Sequence, residues 1–179
     1  GVDSRLVMGA FTLLLIAGAT VAMAAPAGTQ EFGVVSAEFS SERPNVIPAG
    51  ESKTQPYAVG NGGLLPIVTY LEPASEGVAV RPQELYVDGR SVANATVTLQ
   101  APPETGYYRR FVTEHRYLAV LPQPVIRGLY AIHPWAPIVA IDALVGVSLV
   151  GDGRIRRRSR NRDVSTLARL RRAARELYR

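Results

Sequence analysis

Hydrophobic and polar positions change their period along this chain. Leu6 to Ala25 is a run of twenty residues without a charge, the length a helix needs to cross the hydrocarbon core of a bilayer. From Phe32 to Leu121 the pattern is that of strands, with short β-rich runs between Asn61-Gly62-Gly63, Glu72-Pro73, Arg81-Pro82, Asp88-Gly89 and Ala101-Pro102-Pro103. Ser91 to Leu99 alternates most clearly. Val92, Asn94, Thr96 and Thr98 share one face, and Ala93, Ala95, Val97 and Leu99 share the other. Strands are predicted at Phe32–Phe39, Thr54–Val59, Ile67–Leu71, Gly77–Val80, Glu84–Val87, Ser91–Leu99 and Tyr107–Leu121, with Pro44–Gly50 as a turn region. Asn61-Gly62-Gly63 is expected to supply positive φ, and Asp88-Gly89 a tight turn. This spacing of strands and turns points to a mainly β domain, an immunoglobulin-like β-sandwich.

A second apolar run follows, from Leu129 to Gly151. Between Trp135 and Val150 its only charge is Asp142. As a helix that part is about 24 Å long, short of a core of about 30 Å, and a start at Leu129 removes the deficit. Pro134 and Pro137 are tolerated near a helix start, and Tyr130, His133 and Trp135 suit a membrane interface. The run is therefore predicted to be a second transmembrane helix, with a re-entrant or interfacial helix as the alternative. The resulting division is a transmembrane helix at 1–26, a β-sandwich at 27–125, a transmembrane helix at 126–151 and a tail at 152–179.

The first run has a rival reading as a secretory signal peptide, with Arg5 before it and Ala22-Met23-Ala24 as the cleavage pattern. Its length, the acidic Asp3 and the position of Pro26 favour a retained span. A buried core helix is the third reading, and no second amphipathic helix is evident to cover it. The chain begins with Gly and not Met, so it is expected to be a fragment or a processed product.

Charge sharpens this picture. The net charge of +5 is segregated. Residues 27–125 carry ten acidic and seven basic side chains, −3, whereas residues 154–179 carry eleven Arg against Asp163 and Glu176, +9. Arg154, Arg156, Arg157, Arg158, Arg160 and Arg162 follow the second apolar run, which by the positive-inside rule keeps that end cytoplasmic. Two spans then place both termini in the cytoplasm and residues 27–125 outside a plasma membrane. Asn94-Ala95-Thr96 is a glycosylation sequon, in accord with an external face. Ser165 can cap a final helix with Val164, Leu167, Leu170, Ala174 and Leu177 on one side and Arg169, Arg171, Arg172 and Arg175 around the other. Such a basic amphipathic helix is expected on anionic lipid headgroups, at about 1 kcal/mol per basic residue. The same arginines are read as a topology signal rather than a nucleic-acid site, so no nucleic-acid partner is expected.

Candidate chemistry is sparse. There is no Cys, which excludes disulfides and thiolate metal sites. Two histidines, His115 and His133, make a metal site unexpected, and no cofactor is implied. His115 lacks a Gly-x-Ser-x-Gly elbow to serve, so it is read as part of a solvent-facing strand with a Glu114–Arg116 pair. Tyr107-Tyr108-Arg109-Arg110 is read as a strand whose Arg stems cover aromatic rings, rather than as a binding patch. Asp142 at a bilayer centre costs roughly 2.5–3.5 kcal/mol. Thr12, Thr20, water or a partner helix would offset that, which suggests helix packing rather than catalysis; a displaced span with Asp142 near the interface is the alternative. Gly18 and Ala22 form a small-xxx-small pair.

Three stretches resemble a known family: Glu31-Phe-Gly-Val-Val-Ser-Ala-Glu38, Ala101-Pro-Pro-Glu-Thr-Gly-Tyr-Tyr-Arg-Arg110 running on to His115-Arg-Tyr-Leu-Ala-Val-Leu-Pro122, and His133-Pro-Trp-Ala-Pro-Ile-Val-Ala-Ile-Asp142. Together they resemble the C-terminal, non-catalytic region of haloarchaeal signal peptidase I-like membrane proteins. Thr96 to Pro102 with Gly106-Tyr107 also looks like the immunoglobulin-like modules of prokaryotic surface proteins. The family's Ser-Met-Glu-Pro motif and downstream His are absent from this sequence. The resemblance therefore implies no enzyme in this segment, with a serine-type catalytic part upstream of Gly1 in the parent. It implies an archaeal secretion role, with the sandwich positioning secreted preproteins or contacting secretion machinery. The alternative is a cell-surface interaction or adhesion module with no link to proteolysis.

Overall fold

The structure is a computed structural model that describes residues 3–24 and 28–149. Helix α1 is Ser4–Ala24. Eight strands follow among the described residues: β1 Gly28–Ala37, β2 Val46–Pro48, β3 Ser52–Asn61, β4 Ile67–Pro73, β5 Val78–Arg81, β6 Glu84–Val87, β7 Ser91–Gln100 and β8 Gly106–Leu118. Helix α2 is Gln123–Ile132, and α3 is Ala136–Leu149. The described residues fall into two compact units, 18–141 and 3–17 with 142–149. The arginine-rich tail and its expected amphipathic helix, 152–179, lie outside the described residues.

The strands form a five-stranded sheet, β2-β1-β8-β4-β6, and a three-stranded sheet, β3-β7-β5. All seven predicted strands are present. β2 is the addition: Val46–Pro48, read as turn, pairs parallel to β1 and buries Ile47. From β3 onward the chain changes sheet at every connection until β8. Asn61-Gly62-Gly63 and Asp88-Gly89 are thus crossovers between sheets, not hairpin turns.

The sandwich interior is apolar because alternate residues of both sheets point into it. Val34, Ile47, Val59, Ile67, Leu71, Leu85 and Val112 meet Val80, Ala95, Val97 and Leu99 there. The inward set predicted for Ser91–Leu99 is the one observed, with Ala95, Val97 and Leu99 buried and Ala93 packed against them.

Two turns work differently from expectation. At Asn61 the device is a side chain. Its Nδ2 donates to the carbonyls of Leu65, Val87 and Asp88, and its Oδ1 accepts from the Gly63 amide. At Asp88-Gly89 the left-handed residue is Arg90, with φ of 54°. Gly89 is needed for space: a Cβ there would stand 2.1 Å from the Leu64 carbonyl oxygen.

The five-stranded sheet has a second apolar face. Val68 and Tyr70 of β4 and Tyr117 of β8 are buried there against Met23 of α1, Ile126 of α2, and Ile138 and Ile141 of α3. The domain is therefore three-layered: helices, five-stranded sheet, three-stranded sheet.

The second apolar run is not one helix. His133 is extended, φ −163° and ψ 142°, and closes α2. The reason is Pro134, whose ring disfavours helical backbone in the residue before it. The described part of α3 is about 21 Å long, so the start at Leu129 that would complete a second span does not occur. α1 is the helix, among those described, that is long and apolar enough to cross a membrane. It is not a core helix, since Leu6, Leu13 and Leu14 are exposed and Met23 is its buried residue.

Gly89→Ala is expected to lower stability by about 1–3 kcal/mol, because the Leu64 backbone must move. At Gly60 a Cβ meets nothing within 4 Å, and Gly60→Ala should stay within about 0.5 kcal/mol of wild type. Thermal unfolding of the detergent-solubilised chain followed by near-UV circular dichroism checks both, and an unshifted Gly89→Ala midpoint would refute the crowding.

Candidate functional site

Two clusters of hydrogen-bonded polar side chains stand out among the described residues. One is inside the sandwich, the other where α2 lies on the outer face of the five-stranded sheet.

The inner group is built on β8. Alternation sends Val112, Glu114 and Arg116 toward the three-stranded sheet and Thr113, His115 and Tyr117 the other way. Glu114 is only 4% exposed. Its carboxylate accepts from Arg116 Nε at 2.5 Å and from the Tyr57 hydroxyl at 2.9 Å. Arg116 Nη1 donates to the Gly60 carbonyl at 2.7 Å. Burial, followed by the hydrogen bond to Glu114, pushes the Tyr57 phenol above its ordinary value of 10. The expected Glu114–Arg116 pair is present, but it does not face solvent. The second sheet covers it, and no local sequence signal reports that cover.

The outer group joins helix to sheet. Gln123, Ile126, Arg127 and Tyr130 recur at helical spacing and line one side of α2. Ile126 is fully buried. Glu84 of β6 accepts from Gln123 Nε2 at 2.8 Å and from Arg127 Nε at 2.9 Å. Burial alone would raise the Glu84 carboxyl. The hydrogen bonds from Arg127 and Gln123, with the Arg127 charge, outweigh it and hold the group below 4.5. The Tyr130 ring stacks on Tyr70, centroids 4.1 Å apart and 10° from parallel. Its hydroxyl donates to Glu72. Tyr117 meets both rings edge-on or tilted and donates to the Pro134 carbonyl at 2.5 Å. Burial first, then Glu84, pushes the Tyr70 phenol up to about 12. The Tyr117 and Tyr130 phenols are raised by burial too, with Glu72 the next cause at each.

His115 belongs to this outer group. Its Nε2 stands 3.7 Å from Glu72, and its ring tilts against Tyr130. Those partners make it a member of the junction. No group of three or more His, Asp or Glu among the described residues is arranged to hold a metal.

Other sequence-selected residues lie apart. Tyr107–Arg110 follows the structural reading: Arg109 pairs with Glu31 at 2.6 Å and lies over Phe111, and Arg110 lies over Tyr108. Asn94 and Thr96 are exposed on the outward face of β7. Asp142 sits within α3 and is half-buried. A Cβ on Gly18 would meet nothing within 4 Å among the described residues, whereas one on Gly146 would lie 3.5 Å from Ile16 Cδ1. Tyr130, expected at a membrane interface, is instead stacked under the helix. The arginines from Arg154 to Arg175 lie outside the described residues. Sequence reading missed the anchors Glu84, Gln123 and Arg127. The signal was the helical spacing of Gln123, Ile126, Arg127 and Tyr130, hidden between a strand and an apolar run.

No family model and no curated protein matches the chain. Among solved structures it is similar to SSP-19, an MSP-domain protein-like family member of Caenorhabditis elegans. That match has a TM-score of 0.37 and 16% identity over 51% of this chain and 77% of that one. It is also similar to PapD-like domain 7 of human CEP192, with a TM-score of 0.35 and 12% identity over 53% of this chain and 75% of that one.

Glu114→Ala is expected to cost about 2–4 kcal/mol, because Arg116, whose side chain is 17% exposed, is left largely covered without its carboxylate, whereas replacing both residues by apolar ones should cost far less. Denaturant titration of the three chains separates the cases; equal losses would refute the buried pair.

The Glu84 carboxyl is lowered in the fold, so its contribution is present above pH 4.5 and lost as pH falls through the lower folded value. Glu84→Gln should therefore be less stable than wild type at neutral pH, and the difference should narrow below pH 4.5. A difference that is constant with pH, read from urea midpoints, would remove Glu84 as the anchor of α2.

Proposed function

We propose that this chain is a membrane-anchored, extracytoplasmic β-sandwich that acts by binding rather than by catalysis. The observation that carries the proposal is Met23. It lies in the last turn of the apolar helix α1, is 1% exposed, and packs with Tyr70, Tyr117, Ile126, Ile138 and Ile141. A signal peptide is released from the mature domain. Cleavage after Ala22-Met23-Ala24 would strip a side chain from the domain's own helical layer. The buried methionine therefore supports a retained anchor.

A second membrane element formed by α3 is part of this reading, supported by the apolar character of Ala136–Leu149 and the proximity of Gly146 to Ile16, where an added Cβ would stand 3.5 Å from Cδ1. The orientation with the sandwich outside and both termini inside rests on the arginines that follow α3. Within a signal peptidase I-like parent, the sandwich would position preproteins or secretion partners beside a catalytic part supplied elsewhere. His115, held by Glu72 and Tyr130, fits that division of labour.

Protein extracted from native membranes is expected to retain the residues before Met23, as read by N-terminal sequencing and intact mass. A mature N-terminus near Ala25 would sink the anchored reading. Met23→Ala is expected to destabilise the folded domain by about 2–5 kcal/mol, measured as a shift in the denaturant midpoint.

A further inference from the structure

Helix α2 presents a mixed face to the sheet and a second, apolar face that the sheet does not cover. Gln123, Ile126, Arg127 and Tyr130 make the inward face. Val125, Gly128, Leu129 and Ile132 recur with the same spacing on the other side. Val125 is exposed and Ile132 is 79% exposed. The outward face carries no charge. The helix's one charged residue, Arg127, is turned to Glu84. The exposed apolar series continues past His133 with Trp135, 55% exposed, and Val139, one turn further on.

We infer that this outward face of α2, with Trp135, lies in the lipid interface, parallel to the membrane surface and immersed to the headgroup–acyl boundary. The inference rests on the anchored reading above. Its occupant is lipid, for three reasons. The apolar helix α1 ends in the cluster that holds Ile126, so the segment assigned to the bilayer terminates beside α2. An interfacial helix needs an apolar face without charges to desolvate, and this face has none. The break between α2 and α3 carries the chain's single Trp, and indole is the side chain most at home where one end is apolar and the other wet. The fixed inner face then sets how the sandwich stands on the surface, because Glu84 and the Tyr70–Tyr130 stack leave α2 no freedom to roll.

The single Trp makes the test direct. The full chain is reconstituted in phosphatidylcholine–phosphatidylglycerol vesicles whose acyl chains are brominated either near the headgroup or near the terminal methyl. Trp135 emission is expected to be blue-shifted, protected from iodide, and quenched more by the shallow bromines than by the deep ones. Val125→Asp and Ile132→Asp, both at exposed positions, are expected to shift the emission to the red and weaken shallow quenching while near-UV circular dichroism stays unchanged. If the chain resists carbonate extraction but iodide quenches Trp135 and neither bromolipid does, the anchored reading stands and the interfacial helix is wrong. Protection from both iodide and bromolipid would assign the face to protein, a second copy or another partner, and overturn the inference. Deeper quenching by the methyl-end bromines would make this segment part of a span and overturn it as well. Release of the chain by carbonate would remove the anchored reading and this inference with it.

Discussion

A sheet that is apolar on both faces needs two covers, and most of this domain follows from how the second cover is supplied. The three-stranded sheet covers one side in the ordinary way of a sandwich. On the other side Val68, Tyr70 and Tyr117 require burial, and the chain covers them with segments taken from before the first strand and after the last. A ten-residue helix such as α2 is too short to be stable by itself in water, so its docking must come from contacts with the sheet. Glu84 and Glu72 give it direction, and the stacked tyrosines give it depth. The apolar contacts are non-directional and set how much is buried; the carboxylates set which way the helix points.

The same division between non-directional burial and directed polar contacts appears inside the sandwich. Glu114 and Arg116 share the inward face of β8 with Val112 and Leu118, at positions that would suit apolar side chains. Charges at this depth give up hydration, which the Tyr57 hydroxyl and the Gly60 carbonyl partly replace. Their value lies in register. Both link β8 of one sheet to β3 of the other, and a slip by one residue would turn a carboxylate and a guanidinium toward the helical layer.

Much of the β framework was legible in the sequence because strand period and turn residues are local signals. Seven strands, the inward set of β7 and the packing of Arg109 and Arg110 on neighbouring rings follow from them. β2 was not legible, since three residues ending in proline carry no period. The roles of Asn61 and Gly89 are not local signals, because φ preferences are local whereas side-chain capping and backbone proximity depend on a segment from elsewhere. Hydropathy alone makes the apolar run from Leu129 to Gly151 a single helix, whereas Pro134 holds the conformational instruction to break it. The outer junction was least legible. It joins β4, β6, β8 and α2, and only the α2 pattern is visible in one stretch of chain.

The placement of Met23 also has a consequence for the order of events during synthesis. The cluster it enters contains Ile141, so its members come from the first and last parts of the domain, with all eight strands between them. Such a cluster has high contact order and cannot be completed until the last helix has emerged. Until then the nascent sandwich shows Val68, Tyr70 and Tyr117 to its surroundings, and α1 must wait with its last turn uncovered. The helical layer can be completed only after every strand has been made, and it joins the two ends of the domain on one side of the sheet.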